Sequence, residues 1–557
     1  MATNTNTQLL EHDTLNRPNI LIGLIVGLLT TIALTAIFFL ADAIVGLPFV
    51  PFDVLDWIAR TLPGGLITFG IDTVVTLITT FQLGETSSAA KTAEHLMAIG
   101  GLIATGTVAA AVFFFVMNQT RTSAKNALPG LLLGLAVGIP VAIISASVNF
   151  TATTDPLLNT VWIVGVFAIW GALIGWIYDE LTVETKAQTS ASAQVLDRRS
   201  FLVKVGGATA TITVLGAGLG SLLRPTPPQP QSESLAAAPL DPDALGVQPQ
   251  DLPNAGDPVE PVPGTRPEYT PVEDHYRIDI SARPPVLDEA TYTLPIFGLV
   301  NTQVELTLAD IRDNYEPMEQ YVTLACISNR LGGDLTSTTK WTGVSMQQLL
   351  ADVELADNAA YLRITSADGF DETLSLEMIN EDERIMLAYA WDDAPLPIQN
   401  GFPLRIYIPD RFGMKQPKWI TEIEVVEAYE EGYWVRRGWD EIAQMKTTSV
   451  IDTVATDAIV RRDGEFFVPV GGIAHAGARG ISKVEVSVDD GDWQEAQLRS
   501  PLSETTWVIW RFEWPFVEGS HTFRVRTYDG NGTLQVMESQ PSRPSGATGV
   551  HSLNATL

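Results

Sequence analysis

The stretch TLACISNRLGGDLTSTTKWTG, residues 323–343, decides how this chain is read. It carries Cys326, the single cysteine among 557 residues. The apolar run from Tyr321 to Ala325 reads as a strand that delivers the thiol to its end. A polar, glycine-rich loop follows, where backbone can approach a ligand closely. A thiolate so placed can ligate a soft metal or attack an electrophile. The competing reading is a buried cysteine that packs as a small hydrophobe.

A second block, LAYAWDDAPLPIQNGFPLRIYIPDRFGMKQPKWITEIEV (387–425), gathers Arg405, Lys415 and Lys418 in a protein with 34 basic and 65 acidic residues. Arginine offers a planar fork of donors and lysine a point charge, both suited to an anionic group. Asn329 and Asn400 present a donor and an acceptor each, which suits the edge of a heterocycle. Backbone amides around Gly332, Gly333 and Gly401 can add anion contacts. The bland alternative for the cations is a solvated face, and for Trp341 and Trp419 a place in the core.

Together the two blocks resemble the sulfite-oxidase family of molybdenum enzymes. In that family a cysteine after a TLxC strand ligates molybdenum, with an Asn a few residues on and then W-x-G. Here these are Cys326, Asn329, Trp341 and Gly343. The family's pterin-binding segment, HGxPLR…G…KW, is matched by Asn400 (in place of His), Gly401, Pro403, Leu404, Arg405, Gly413, Lys415, Lys418 and Trp419. The resemblance covers roughly residues 265–550. It implies a molybdenum–molybdopterin cofactor, with Cys326 as its protein ligand. It implies His275, Tyr276, Asn329, Asn400, Gly401, Arg405, Lys415 and Lys418 as cofactor contacts. Arg330 and Arg411 are the candidates to face a small oxyanion or sulfoxide substrate. The implied chemistry is oxygen-atom transfer coupled to two electrons.

The net charge of -31 argues against nucleic acid and against docking on an anionic membrane face through a basic patch. One cysteine excludes an intrachain disulfide and a zinc site built from several thiolates. The six histidines are scattered without metal-ligand spacing.

The N-terminal part reads as membrane. After a polar tail, 1–19, apolar runs near 20–45, 97–118, 128–150, 158–180 and 201–223 are each long enough to span a bilayer as a helix. A sixth run, 62–83, carries Pro63, Gly64, Gly65, Gly70 and Asp72. We read it as re-entrant or interfacial, giving five spans with Arg17 inside; six is the alternative. The last span opens on Arg198-Arg199-Ser200-Phe201-Leu202 with Lys204 nearby, which resembles a twin-arginine export signal in an unusual internal position. Arg121 and Lys125 place their loop inside. Counting forward, Arg198 and Arg199 are also inside and the chain after 224 is outside. Two axial histidines for a haem between the helices are not available, so no haem is expected in this chain; His95 alone lies near a span. Asp72 is the one hint of function within an apolar run.

The expected organisation is thus multidomain: an α-helical membrane bundle, an α+β catalytic domain of sulfite-oxidase type and an Ig-like β-sandwich. The boundaries are a membrane region over 20–183, the twin-arginine-like segment and last helix over 184–223, and a Pro-rich linker over 224–265. The catalytic domain follows over 266–446, the sandwich over 447–545 and a tail over 546–557. Acidic turns such as Asp489-Asp490-Gly491 lack the EF-hand ligand spacing and read as hairpin turns. The glycine cluster at 471–480 lacks the Lys-Ser/Thr of a phosphate loop and reads as strand bends. Expected partners are the small substrate, a cytochrome or quinone-linked redox partner, membrane lipid and a second copy of the chain. The rival functions are a non-enzymatic membrane-anchored surface protein with a structural cysteine, and a cysteine-nucleophile hydrolase.

Overall fold

The computed structural model describes residues 15–120, 128–149, 154–184, 191–223 and 252–557. They divide into two compact units, one of residues 1–61 with 92–227 and one of residues 62–91 with 228–557.

The first unit is helical, apart from a two-residue pairing of β1 (Leu15–Asn16) with β2 (Val183–Glu184). Its helices are α1 (Ile20–Val45), α2 (Val50–Thr61), α4 (Thr86–Thr120, from residue 92), α5 (Leu128–Val148), α6 (Pro156–Leu181) and α7 (Ala191–Leu223). Asn19 caps α1 by accepting from the Ile22 amide, and Gly46 ends it in the left-handed conformation. Helices α5 and α6 meet along Gly130, Gly134 and Gly138, where a Cβ would strike the backbone or Phe167 of α6. Small residues at four-residue spacing let two apolar helices approach this closely. Phe38, Phe114, Phe167, Trp170 and Tyr178 fill the core. The Arg121–Lys125 loop lies outside the described residues, as do residues 1–14 and the side chain of Arg198.

Among the described residues, six helices are long and apolar enough to cross a membrane, and α3 (Gly64–Phe81) is one of them. This helix belongs to the second unit. Its apolar side chains are largely exposed, Phe69 by 72% and Phe81 by 66%. Thr76 and Thr79 accept hydrogen bonds from Arg330, the Thr86 amide donates to Asp334, and Lys91 pairs with Asp279.

The rest of the second unit is built on four sheets. The strands of the catalytic part are β3 (Thr293–Gly298), β4 (Val304–Thr307), β5 (Pro317–Ala325), β6 (Thr336–Ser345), β7 (Tyr361–Ser366), β8 (Asp371–Ser375), β9 (Met386–Trp391), β10 (Ala394–Pro395), β11 (Arg405–Tyr407) and β12 (Ile420–Val426). One sheet runs β10-β9-β6-β5 with β11 also on β9; the other runs β4-β3-β12-β7-β8. Short helices α8 (Leu308–Asn314), α9 (Met346–Ala351) and α10 (Leu376–Glu381) lie between the strands. Thr307 starts α8 with a capping box to Asp310. A single core that includes Ile296, Val322, Trp341, Leu362, Leu387 and Ile423 fills the space between these elements.

The C-terminal strands are β13 (Thr448–Val454), β14 (Val460–Arg462), β15 (Glu465–His475), β16 (Ile481–Val488), β17 (Gln494–Glu495), β18 (Gln497–Leu498), β19 (Val508–Pro515), β20 (Ser520–Asp529) and β21 (His551–Thr556). They form two antiparallel sheets, β13-β15-β19-β18 with β14 on β15, and β17-β16-β20-β21. Val470, Val484, Trp510 and Phe523 close the core between them.

Two expectations need correction. Residues 252–265, read as part of an extended linker, are folded: Leu252 and Val262 are buried. Arg499 donates to the Asn254 and Val259 carbonyls, so this backbone has partners that a free linker lacks. The remaining linker residues, 224–251, lie outside the described residues. The tail over 546–557 contributes β21, which pairs with β20 from Ser520 to Val525. Its alternating His-Ser-Leu-Asn-Ala-Thr pattern is an ordinary strand pattern.

Candidate active site

Strand β5 ends at Ala325, and the chain turns at Cys326, whose side chain is 8% exposed. The turn is closed by backbone bonds from the Cys326 amide to Leu335 and from the Asn329 amide to Cys326. Asn329 also accepts from the Leu335 amide through Oδ1. Its acceptor therefore braces the loop rather than facing a ligand. The Cys326 sulfur lies 3.0 Å from Ser328 Oγ. Burial raises the thiol's pKa, and Ser328 offsets this only in part. The thiol keeps its proton until something displaces it, and a bound metal ion does that.

The neighbouring strands build an aromatic wall. Trp341 on β6 and Trp391 on β9 are cross-strand partners with ring centroids 5.0 Å apart. The pairing shifts register between Thr342 and Gly343, and a Cβ on Gly343 would lie 2.3 Å from the Leu387 carbonyl oxygen. The Trp-x-Gly spacing is thus required by a bulge. Arg405, the first residue of β11, lays its guanidinium 4.5 Å from the Trp341 ring and 5.1 Å from Trp391. It is 3% exposed, and burial lowers its pKa to about 9. Its Nη1 donates to the Asn400 carbonyl, while its Nε has no partner.

His275 stacks on Trp391 at 4.4 Å and on Tyr276 at 5.3 Å. Its Nδ1 lies 3.0 Å from the Tyr276 carbonyl oxygen, which can only accept, so the proton belongs on Nδ1 and the Nε2 lone pair is open. Burial, with Arg405 second, lowers the His275 pKa to about 3, so the ring is neutral. Burial and the nearby Cys326 thiol push the Tyr276 hydroxyl well above its usual range. Around this cluster four buried polar atoms lack partners: His275 Nε2, Asn400 Oδ1, Arg405 Nε and Trp391 Nε1. Two accept and two donate. Unsatisfied buried groups are costly and call for a ligand that completes them. A pterin edge, with its own donors and acceptors, fits this set.

Lys418 follows. Its ammonium reaches Asp279 at 3.3 Å and the Ile278 carbonyl at 3.3 Å, and it lies 4.3 Å from the Trp419 ring. Burial lowers its pKa to about 8. Trp419 holds a positive φ of 52°, rare for a bulky residue, and its indole donates to the Ile398 carbonyl. Gly401, at φ 124°, lies directly under Arg405 and Lys418, each of which would press on a Cβ there. The structure thus brings together Cys326, His275, Tyr276, Asn400, Gly401, Arg405 and Lys418.

Besides Asn329, which braces the loop, three expected residues are engaged elsewhere. Lys415 is buried against Glu372 at 2.6 Å, so its charge is already matched. Arg330 donates both Nη groups to Thr76 and Thr79 of α3. Arg411 turns to the carbonyl of Asp410. Sequence reasoning missed Trp391, Ser328, Asp279, Arg277, Glu372 and Lys91. Of these only Ser328 stands close enough to Cys326 to carry a local signal. Lys415→Ala is expected to destabilise the fold by about 3–5 kcal/mol, because Glu372 would be left buried and unpaired. Replacing both by apolar residues should cost far less. Urea unfolding of the single and double variants checks this.

Residues 281–434 match the family described as the oxidoreductase molybdopterin binding domain. Residues 439–541 match the Mo-co oxidoreductase dimerisation domain. The class is therefore a molybdopterin-binding domain followed by its dimerisation domain. More narrowly, this part of the chain is similar to the sulfite-oxidase family of molybdenum-dependent oxidoreductases. Human mitochondrial sulfite oxidase is 28% identical over 287 residues, 43% of this chain and 52% of that one. A barley nitrate reductase [NAD(P)H] is 25% identical over 334 residues, 49% of this chain and 37% of that one. The chain spans about half the length of the sulfite oxidases it matches. The sulfane dehydrogenase SoxCD of Paracoccus pantotrophus superposes with a TM-score of 0.45 at 17% identity, over 53% of this chain and 82% of that one.

Proposed function

We propose that this protein is a membrane-anchored, extracytoplasmic oxidoreductase that performs two-electron oxygen-atom transfer on a small substrate such as sulfite or a sulfoxide. The observation that carries the reading is the ring of unpartnered buried atoms on His275, Asn400, Arg405 and Trp391, beside a solitary thiol. Among the described residues no group of three His, Cys, Asp or Glu can hold a metal. A metal at Cys326 must then bring most of its own ligands, as one chelated by a pterin dithiolene does.

When bound, the molybdopterin centre supplies the reversible two-electron chemistry and the exchange of an oxygen atom. The chain's own residues do the rest. Cys326 gives up its proton and offers one thiolate. Arg405, held against the two indoles, points donors in fixed directions. His275 stays neutral and accepts at Nε2. Lys418 supplies the charge for an anionic group. Trp341, Trp391 and Tyr276 exclude water and strengthen each of these contacts.

For the substrate, Arg330 has more support than Arg411. A cavity of about 60 Å³ beside the Cys326 loop is lined by Arg330, Asn329, Arg266, Lys446 and His475. The His475 Nε2 is buried without a partner. Lys446 and the charge of Arg330 suit a small oxyanion, while Arg266 is already paired with Asp452 and burial keeps His475 neutral. The dimerisation-type domain supports a homodimer, and a cytochrome or quinone-linked partner would take or supply the electrons. The twin-arginine-like segment supports placing the catalytic unit outside the membrane. The polar contacts of α3 with that unit support an interfacial α3 and five spans. The thiol-nucleophile alternative needs a lowered thiol pKa and a basic histidine. Burial raises the Cys326 pKa, and His275 is neutral.

The test is direct. Purified full-length protein is expected to contain about one molybdenum and one extractable pterin per chain. It should turn over sulfite or a sulfoxide with artificial electron acceptors or donors. Protein without molybdenum and pterin would overturn the proposal.

A further inference from the structure

Asp279 is a buried carboxylate, 1% exposed, with three cations on it: Arg277 at 2.6 Å, Lys91 at 2.9 Å and Lys418 at 3.3 Å. One negative charge cannot balance three positive ones. Arg405 adds further positive charge close by, and Asp368 answers Lys418 only in part. Excess buried positive charge is costly unless an anion joins it.

Two of these cations are local to the candidate site, but Lys91 comes from far upstream in sequence. It ends the segment 62–91, which packs within the catalytic unit through Thr76, Thr79 and Thr86. Its ammonium donates to the Asp279 carboxylate, to the Ser281 carbonyl at 2.9 Å and to the Asp279 carbonyl at 3.3 Å. An ammonium has three protons, so Lys91 acts through Asp279 and not on a ligand directly.

We infer that Lys91 is a positioning residue for the anionic group of the cofactor: it neutralises Asp279 and so leaves the charge of Lys418 free for a phosphate-bearing ligand. This rests on the molybdopterin reading above. Without Lys91 the buried carboxylate falls to Arg277 and Lys418 alone, and Lys418 is drawn away from the ligand. The cofactor site is then completed by a residue from the helical N-terminal part of the sequence.

The experiment uses full-length protein in detergent and measures molybdenum and extractable pterin per chain, with thermal unfolding in parallel. Lys91→Ala is expected to retain about tenfold less cofactor, and Lys91→Arg to stay near wild type. The decisive variant combines Lys91→Ala with Asp279→Asn. With no unmatched carboxylate competing for Lys418, its cofactor content should return to within about twofold of wild type. A merely structural tether would not be rescued by the second substitution. If Lys91→Ala fails to fold, the double variant carries the decision. Wild-type content in Lys91→Ala, or a double variant as depleted as the single one, overturns the inference. Depletion in Lys418→Ala alongside an undiminished Lys91→Ala would remove the inference and keep the molybdopterin reading. Absence of molybdenum and pterin from the wild type would remove that reading itself.

Discussion

Replacing Cys326 with serine is expected to lower turnover by at least about 100-fold while the protein stays folded. The sulfur is the one thiolate donor the chain offers, and a serine hydroxyl does not ionise in its place. The structural cost is small. The swap keeps the side chain's size, and Ser328 Oγ is already 3.0 Å away to partner a hydroxyl. Circular dichroism and thermal unfolding should therefore match wild type to within about 1–2 kcal/mol, as single hydrogen-bonding changes do. Pterin should be retained better than turnover, because Arg405, His275 and Lys418 still hold the organic part. A Cys326→Ser protein with undiminished turnover would show that the thiol only packs.

The second large effect is expected at Arg405, and it separates stability from function. Arg405 is 3% exposed and its Nη1 bonds only a carbonyl, so burying its charge costs several kcal/mol. The faces of Trp341 and Trp391 return about 2 kcal/mol. Arg405→Met should therefore leave the cofactor-free protein at least as stable as wild type. The same change removes the donor fork aimed into the site, and cofactor content should fall by about 100-fold. Arg405→Lys should also fail, because an ammonium lacks the planar fork of donors that the guanidinium offers. Molybdenum analysis and melting temperature, measured on the same preparations, check both halves. A loss of stability equal to the loss of cofactor would reduce Arg405 to a core residue.

Much of this was legible in the sequence, for physical reasons. Strand β5 and its thiol stood out because an apolar run ends abruptly in a polar, glycine-rich loop. Arg405 and Lys418 stood out as cations in an acidic chain. Helices α8, α9 and α10 carry local start signals, including the Thr307 cap. Strands β6 and β9 were not read. Each is buried on both faces, and β6 is a threonine-rich run without the alternation that marks a half-exposed strand. The partner of Lys415 was invisible because Glu372 lies 43 residues away, on β8. The engagement of Arg330 with α3 spans 251 and 254 residues, and no local pattern reports contacts of that range.

The packing of residues 62–91 against the folded part that follows residue 252 has a practical consequence for how this protein is handled. A fragment cut to begin after the proline-rich stretch would carry every strand from β3 onward and every expected cofactor contact, yet would leave Asp279, Arg330 and Asp334 short of partners they have in the intact chain. Such an excised piece is a different chemical object from the parent. Work on this protein is best done on the whole polypeptide, solubilised with its greasy half attached.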